Sequence, residues 1–319
     1  MKIVVLEGHA VNPGDLSWDG LSQFGDLTIY ENTPIELISE RISDADIVLV
    51  NKIEFSAAIM DGGKNLKYIG ELATGYNNID IKAAKERGIT VCNIPAYSSP
   101  SVAQHTFALL LELCMHTGLH SNGVMAGKWN ECLDFCYWET PLIELSGKTM
   151  GIIGFGQIGK AVAKIAVSFG MKVIACAAHP RAESGVDGVS MVTMEELINS
   201  SDVISLHCPL TLENKGFICT ETISKMRDGV IVINTARGLL VNEQDVTVAL
   251  NSGKMRGFAS DVLAKEPPVN GSPLFGAPNC IITPHIAWAP IESRKRLMNT
   301  AIDNVRAFLC GEPQNKVNN

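Results

Sequence analysis

Three residues in the second half of the chain could together act on a carbonyl: Arg237, Glu266 and His285. Arg237 lies in NTARG, directly after the apolar run VIVI, and His285 lies in TPHIAW, directly after CII. Between them, DVLAKEPP carries Glu266 just before a proline pair. Taken singly, each has an ordinary reading: a surface arginine beside an acid, a satisfied structural histidine, a loop carboxylate. Taken together, they supply what hydride delivery to a carbonyl carbon requires. A guanidinium grips a carboxylate next to the carbonyl with two parallel bonds and polarises the oxygen. A histidine, whose ordinary pKa is near neutrality, protonates the developing alkoxide. A carboxylate beside it orients the imidazole and favours its charged form, which raises its pKa. Parallel strands present their carboxyl ends to ligands, so the ends of two buried runs are a suitable place for such groups.

A hydride source is implied by GIIGFGQIGK, residues 151–160. Gly154, Gly156 and Gly159 follow an apolar strand and precede a helical run. There the first allows a tight turn, the second lets backbone approach a pyrophosphate, and the third packs helix on strand. The helix start adds free N–H groups and a positive dipole end. A glycine turn that binds nothing is the competing reading, and the flanking elements weigh against it. An acid about 20 residues after the first glycine normally takes the ribose hydroxyls. Here residues 172–181 read KVIACAAHPR, with no carboxylate. The strand should end near Ala177, where nothing would repel a 2′-phosphate, and His179 and Arg181 follow closely enough to approach one. The expected cofactor is NADP or NAD, with NADP favoured.

The rest of the composition narrows the class. With 319 residues the chain exceeds one typical core, and 46% apolar with 19% charged residues describes a folded protein. A net charge of −8 disfavours nucleic acid and anionic membranes. The apolar start MKIVVLE is too short for a signal peptide core, and no window approaches a membrane span. Nine cysteines without paired spacing read as buried hydrophobes in a reducing compartment, so the location expected is cytoplasmic. His116 and His120 lie four apart, a helical chelating spacing, but no third ligand accompanies them. No metal is expected.

The elements that must hold these groups alternate in type. KIVVL, LTIYE, DIVLV, LKYIG and ITVCNI read as strands separated by helices, which implies a parallel sheet covered on both faces. One helix should open at Thr33 with a capping box to Glu36. Residues 102–115 read as a buried helix. GVMAGKWNECLDFCYWETP lacks clear period and is either a loop packed on its own domain or an arm reaching a second subunit. A second series follows: TMGIIG, KVIACA, DVISLHC, VIVINTA, RGFASDVL and CIITP, with another capping box at Thr193 and Glu196. A long amphipathic helix over 290–311 and a polar tail, PQNKVNN, close the chain. The fold expected is α/β, with two doubly wound parallel-sheet domains.

The Arg–Glu–His set, with ATGYNNID, SVAQHT, GFGQIG, HCPLT, NTARGLLV, ASDVLAKEPP and TPHIAW in this order, resembles the D-isomer-specific 2-hydroxyacid dehydrogenases along almost the whole chain. ATGYNNID, the DFCYWETPLIELSGKT run and the HIAW ending are most similar to the glycerate dehydrogenases, or hydroxypyruvate reductases, of that family. The resemblance implies two Rossmann-like domains with a cleft between them: residues 1–96 plus 289–319 for substrate, and 97–288 for the dinucleotide. It implies reduction of a small 2-oxo acid, hydroxypyruvate or glyoxylate, to the D-hydroxy acid. It places Thr74 and Gly75 on the substrate carboxylate with Arg237 and His285, and Trp288 beside nicotinamide or substrate or merely packed. Thr106, Gln157, Ile158, Cys208, Pro209, Thr235, Ala236 and Asp261 would line the dinucleotide. It also implies a homodimer through the cofactor domain, with residues 121–147 as the arm. A phosphoglycerate dehydrogenase and a dinucleotide-sensing corepressor are the competing assignments; the first is disfavoured by the lack of room for a regulatory domain before Asn319.

Overall fold

The computed structural model describes residues 1–178 and 183–319. The chain divides into two compact units, Met1–Ser98 with Ala289–Asn319, and Ser99–Trp288. Among the described residues, no helix is long and apolar enough to cross a membrane.

The first unit is built on five parallel strands, β1 (Lys2–Val5), β2 (Asp26–Ile29), β3 (Ile47–Val50), β4 (Tyr68–Glu71) and β5 (Thr90–Cys92). Their order is β2-β1-β3-β4-β5. The branched residues of β1 and β3 are buried on both faces, as strands between two helical layers must be. Two details depart from the sequence expectation. Thr33 caps no helix: its hydroxyl donates to Leu6 O at 2.7 Å and accepts from Arg41. Pro34 is extended, so a short 3₁₀ turn Ile35–Leu37 precedes the helix Ile38–Ile42. The polar tail, in turn, is docked. Val317 N donates to Val91 O, and the buried Asn318 side chain accepts from Val91 N and donates to Ile89 O. The tail thereby satisfies the backbone of an edge strand that would otherwise stand open. The terminal helix Ile291–Leu309 buries Leu297, Met298, Ala301 and Val305. Its Arg294 forks onto both oxygens of Asp15 at 2.6 Å.

The second unit holds seven parallel strands: β6 (Thr149–Ile153), β7 (Lys172–Cys176), β8 (Val189–Met191), β9 (Val203–Leu206), β10 (Val230–Asn234), β11 (Met255–Ser260) and β12 (Cys280–Ile282). The order β12-β11-β10-β9-β6-β7-β8 reverses direction between β6 and β9. At such a switch point the connecting loops diverge and leave a crevice for a ligand. β8 was not foreseen; three half-buried residues at the outer edge carry too little pattern to register. Helix Ser99–Met115 buries Phe107, Leu110, Leu113 and Cys114. Thr193 caps the helix Met194–Ser200 by accepting from Glu196 N at 3.2 Å.

Candidate active site

Strands β10, β11 and β12 are parallel neighbours, so their carboxyl ends share one edge. Arg237 stands three residues past the end of β10, Asp261 directly after β11, and His285 three residues past β12. Residues 24 positions apart in sequence, Arg237 to Asp261 and Asp261 to His285, therefore emerge along a single sheet edge.

Each loop there is held by its own polar contacts. Asn234, fully buried at the end of β10, accepts from Ala236 N at 3.0 Å and donates to Arg237 O at 2.9 Å. Arg237 is half-buried, and its Nη1 donates to Ala236 O. Gly238 follows, and a Cβ there would lie 1.9 Å from the carbonyl carbon of Leu263. Only glycine lets the arginine loop press against the loop carrying Glu266. That loop is fixed by Glu266 Oε1, which accepts from Leu263 N at 3.0 Å. It is also fixed by Glu243, which accepts from Ala264 N at 2.8 Å and from the Ser272 hydroxyl at 2.7 Å. The remaining oxygen of Glu266 lies 2.6 Å from His285 Nδ1. A carboxylate on Nδ1 leaves Nε2 as the free face of the ring.

His285 has a left-handed backbone, φ 55, which a non-glycine residue keeps only when its surroundings hold it. The holder is Asp261, which is 1% exposed. Its carboxylate accepts from Thr283 Oγ1 (2.6 Å), Ile286 N (2.9 Å) and Ala287 N (2.8 Å). Since the Thr283 proton goes to Asp261, His105 Nε2, 3.0 Å from Thr283 Oγ1, is the donor in that contact. Burial pulls Asp261 upward, but the bonds from His105, Thr283 and the two amides outweigh it and hold the carboxyl below its ordinary value. The residue expected on the dinucleotide thus has an internal task, shaping the histidine loop. Another histidine at this edge, His207, is kept neutral by burial, its pKa lowered to about 3. It is unsuited to deliver a proton near neutrality.

The glycine turn fits a dinucleotide. Gly154 has φ 95, and a Cβ on it would come within 2.5 Å of the His207–Cys208 backbone. A Cβ on Gly159 would lie 2.2 Å from Gly154 O. Both glycines are demanded by internal packing. Gly156 differs: a Cβ there meets nothing within 4 Å, so the helix Gln157–Ser168 begins at open space. The N-cap of that helix, Gly156, offers no side-chain cap, so among the described residues its first N–H groups are left for an anion. Thr106 is fully buried and shares a 3.2 Å hydrogen bond with Thr235, tying the helix Ser99–Met115 to the segment after β10. Cys208 is half-buried with its thiol pushed up by burial, so it stays a thiol and not a thiolate. Pro209 O accepts from Asn214 Nδ2 at 2.8 Å, which pins the same loop.

Residues 107–287 match the family model for the NAD binding domain of D-isomer specific 2-hydroxyacid dehydrogenases. The chain belongs to this family. It is 50% identical to a hydroxypyruvate reductase of Blautia hydrogenotrophica, over the whole of both chains. It is 42% identical to a glycerate dehydrogenase of Methylorubrum extorquens over 90% of each. Among solved structures, an acyclic imino acid reductase in complex with NADPH and D-Arg superposes with a TM-score of 0.86 at 31% identity, covering 99% of this chain and 100% of that one. The dehydrogenase therefore carries a nicotinamide-cofactor domain.

Of the other positions singled out, Ala177 follows β7 directly, Gln157 and Ile158 open the helix after the glycines, and Trp288 is half-buried. His179 and Arg181 lie outside the described residues. Thr74 and Gly75 lie past β4 in the first unit; Thr74 Oγ1 donates to Ile94 O, and Asn93 Nδ2 donates to Thr74 O. The segment expected to be irregular begins inside a helix, Thr117–Met125. His116 sits at the break before it, φ 46, so the pair with His120 is not presented on one continuous helix. Both ring nitrogens of His120 are committed, Nδ1 to His116 O and Nε2 to Glu139 N. Residues missed by the sequence reading are Asn234, Gly238 and Glu243. Asn234 and Gly238, the two ends of NTARG, were the signals available.

Proposed function

We propose that this dehydrogenase reduces hydroxypyruvate or glyoxylate to D-glycerate or glycolate. A bound reduced nicotinamide supplies the hydride. Arg237 grips the substrate carboxylate and polarises the carbonyl oxygen, as a planar guanidinium does better than a point charge. Backbone N–H groups of Thr74 and Gly75 are the proposed further donors to that carboxylate. His285 Nε2 gives its proton to the developing alkoxide, and Glu266 on Nδ1 orients the ring for that transfer. Asp261 keeps His285 in place. The 2.6 Å pair of Glu266 and His285 on the edge that carries Arg237 is the observation that supports this reading most strongly. The names of the Blautia and Methylorubrum relatives support the substrate.

Gly154, Gly156, Gly159, Gln157 and Ile158 would hold the pyrophosphate, with Cys208, Pro209, Thr235 and Ala236 along the crevice. NADPH is accepted alongside NADH with a modest preference, because Ala177 and Ala178 offer no acid to repel a 2′-phosphate. Arg181→Ala should then lower kcat/KM for NADPH relative to NADH. The protein works as a cytoplasmic homodimer, joined through the second unit. Met125, Trp129, Leu133, Phe135 and Trp138 are exposed on the arm and support that assembly, and all nine cysteines are free, as in a reducing compartment. The test is a panel of hydroxypyruvate, glyoxylate and 3-phosphohydroxypyruvate with each cofactor. Hydroxypyruvate or glyoxylate should give the highest kcat/KM; absence of NADH and NADPH consumption with both refutes the proposal. A preference for NADH above about a hundredfold, nearly 3 kcal/mol, refutes the cofactor part.

A further inference from the structure

A cavity of about 360 Å³ opens beside the glycine turn, with Gly156, Gln157, Lys160, Ala177, Glu183 and Ser184 in its wall. It lies where β7 ends and where the helix Gln157–Ser168 begins. Lys160 occupies the first turn of that helix and is half-buried. Among the described residues, no carboxylate lies within 4 Å of its ammonium, although Glu183 shares the cavity wall. The ammonium stands 6.0 Å over the Phe155 ring, and a Cβ on Gly185 would lie 3.9 Å from it. The lysine therefore reaches from the helix towards Gly185, and it shares the cavity wall with Ala177, where a ribose acid is missing. A half-buried ammonium without an acid partner leaves an uncompensated charge, which a dianionic group in the cavity neutralises.

From this we infer that Lys160 is a further cation that recognises a 2′-phosphate, in addition to Arg181, and that Glu183 opposes it as the negative charge on the same wall. Two opposed charges in one cavity then bias cofactor choice. The inference deepens the cofactor reading above and rests on the glycine turn holding a dinucleotide. Loss of one charge-assisted contact corresponds on the order of tenfold in affinity.

The test compares calorimetric binding of adenosine 2′,5′-bisphosphate and adenosine 5′-monophosphate, which differ only in the 2′-phosphate, to the full-length protein. The wild type should prefer the bisphosphate. In Lys160→Ala the ratio of the two dissociation constants should shift about tenfold against the bisphosphate. In Lys160→Arg it should be largely kept, and in Glu183→Gln it should move in the bisphosphate's favour. An unchanged ratio in Lys160→Ala overturns the inference alone. A wild type that prefers the monophosphate overturns both the inference and the NADPH preference. Reduction of hydroxypyruvate and glyoxylate is measured on the same preparations. If neither is reduced while the ratio still shifts, the proposed reaction fails and the phosphate site stands.

Discussion

Glu71 closes β4 at the start of the segment that leads to Thr74 and Gly75, and it is 1% exposed. Asn78 Nδ2 donates to its Oε2 at 3.0 Å, while Oε1 has no hydrogen-bond partner among the described residues. Burial pushes its pKa from 4.5 up to about 8, against the lowering effects of Asn78 and Lys52 and with a smaller push from Glu7. Between pH 4.5 and about 8 the unfolded carboxyl is ionised and the folded one keeps its proton. The folded state binds more protons in that window, so stability falls as pH rises through it. At pH 7 the cost relative to acid is at most about 3 kcal/mol, from 1.36 kcal/mol for each pH unit above the unfolded pKa. Glu71→Gln removes the ionisation and retains an acceptor for Asn78. Hydrogen exchange of the β4 amides should show wild-type opening free energy falling between pH 5 and 8, with the variant nearly flat and more stable at pH 8. Equal pH dependence in the two proteins would refute a neutral, buried Glu71.

Other expectations concern the sheet edge. His285→Ala should lower kcat for hydroxypyruvate by about 10²–10⁴-fold while dinucleotide binding, measured by fluorescence titration, stays near wild type; turnover within threefold would remove it from the chemistry. Arg237→Lys should raise KM and lower kcat, since a point charge cannot replace the planar fork in either ground or transition state. Unchanged kcat/KM would mark the arginine as structural. Glu266→Gln should lower kcat for hydroxypyruvate, because the carboxylate that orients His285 through Nδ1 is lost; turnover within threefold of wild type would break the pair. Gly238→Ala should depress kcat and thermal stability together, as its Cβ would meet Leu263 backbone. A variant with wild-type activity and melting temperature would show that the loops have slack.

What the sequence determined by itself is local. VIVI, DIVLV and GIIG are runs that only strands buried on both faces can use, and three glycines at fixed offsets admit few backbones, so the sheets and the dinucleotide turn were legible. The candidate set was legible as well, because hydride chemistry needs those residue types together, and the resemblance then named a family that carries them. Short or locally ambiguous signals failed. Thr33 followed by Glu36 looked like a helix start, but a tertiary bond to Leu6 O took the hydroxyl. PQNKVNN read only as a polar tail, but its polarity answers the open edge of β5. Tertiary structure alone decided which loops meet. Asp261 supports the left-handed His285 from beneath, Glu243 clamps the loop of Glu266, and Gly238 admits that loop against Arg237. These contacts join residues about 20 to 30 positions apart at the ends of neighbouring parallel strands. Parallel neighbours are linked through crossovers, so strand order, and not spacing along the chain, brings their ends together.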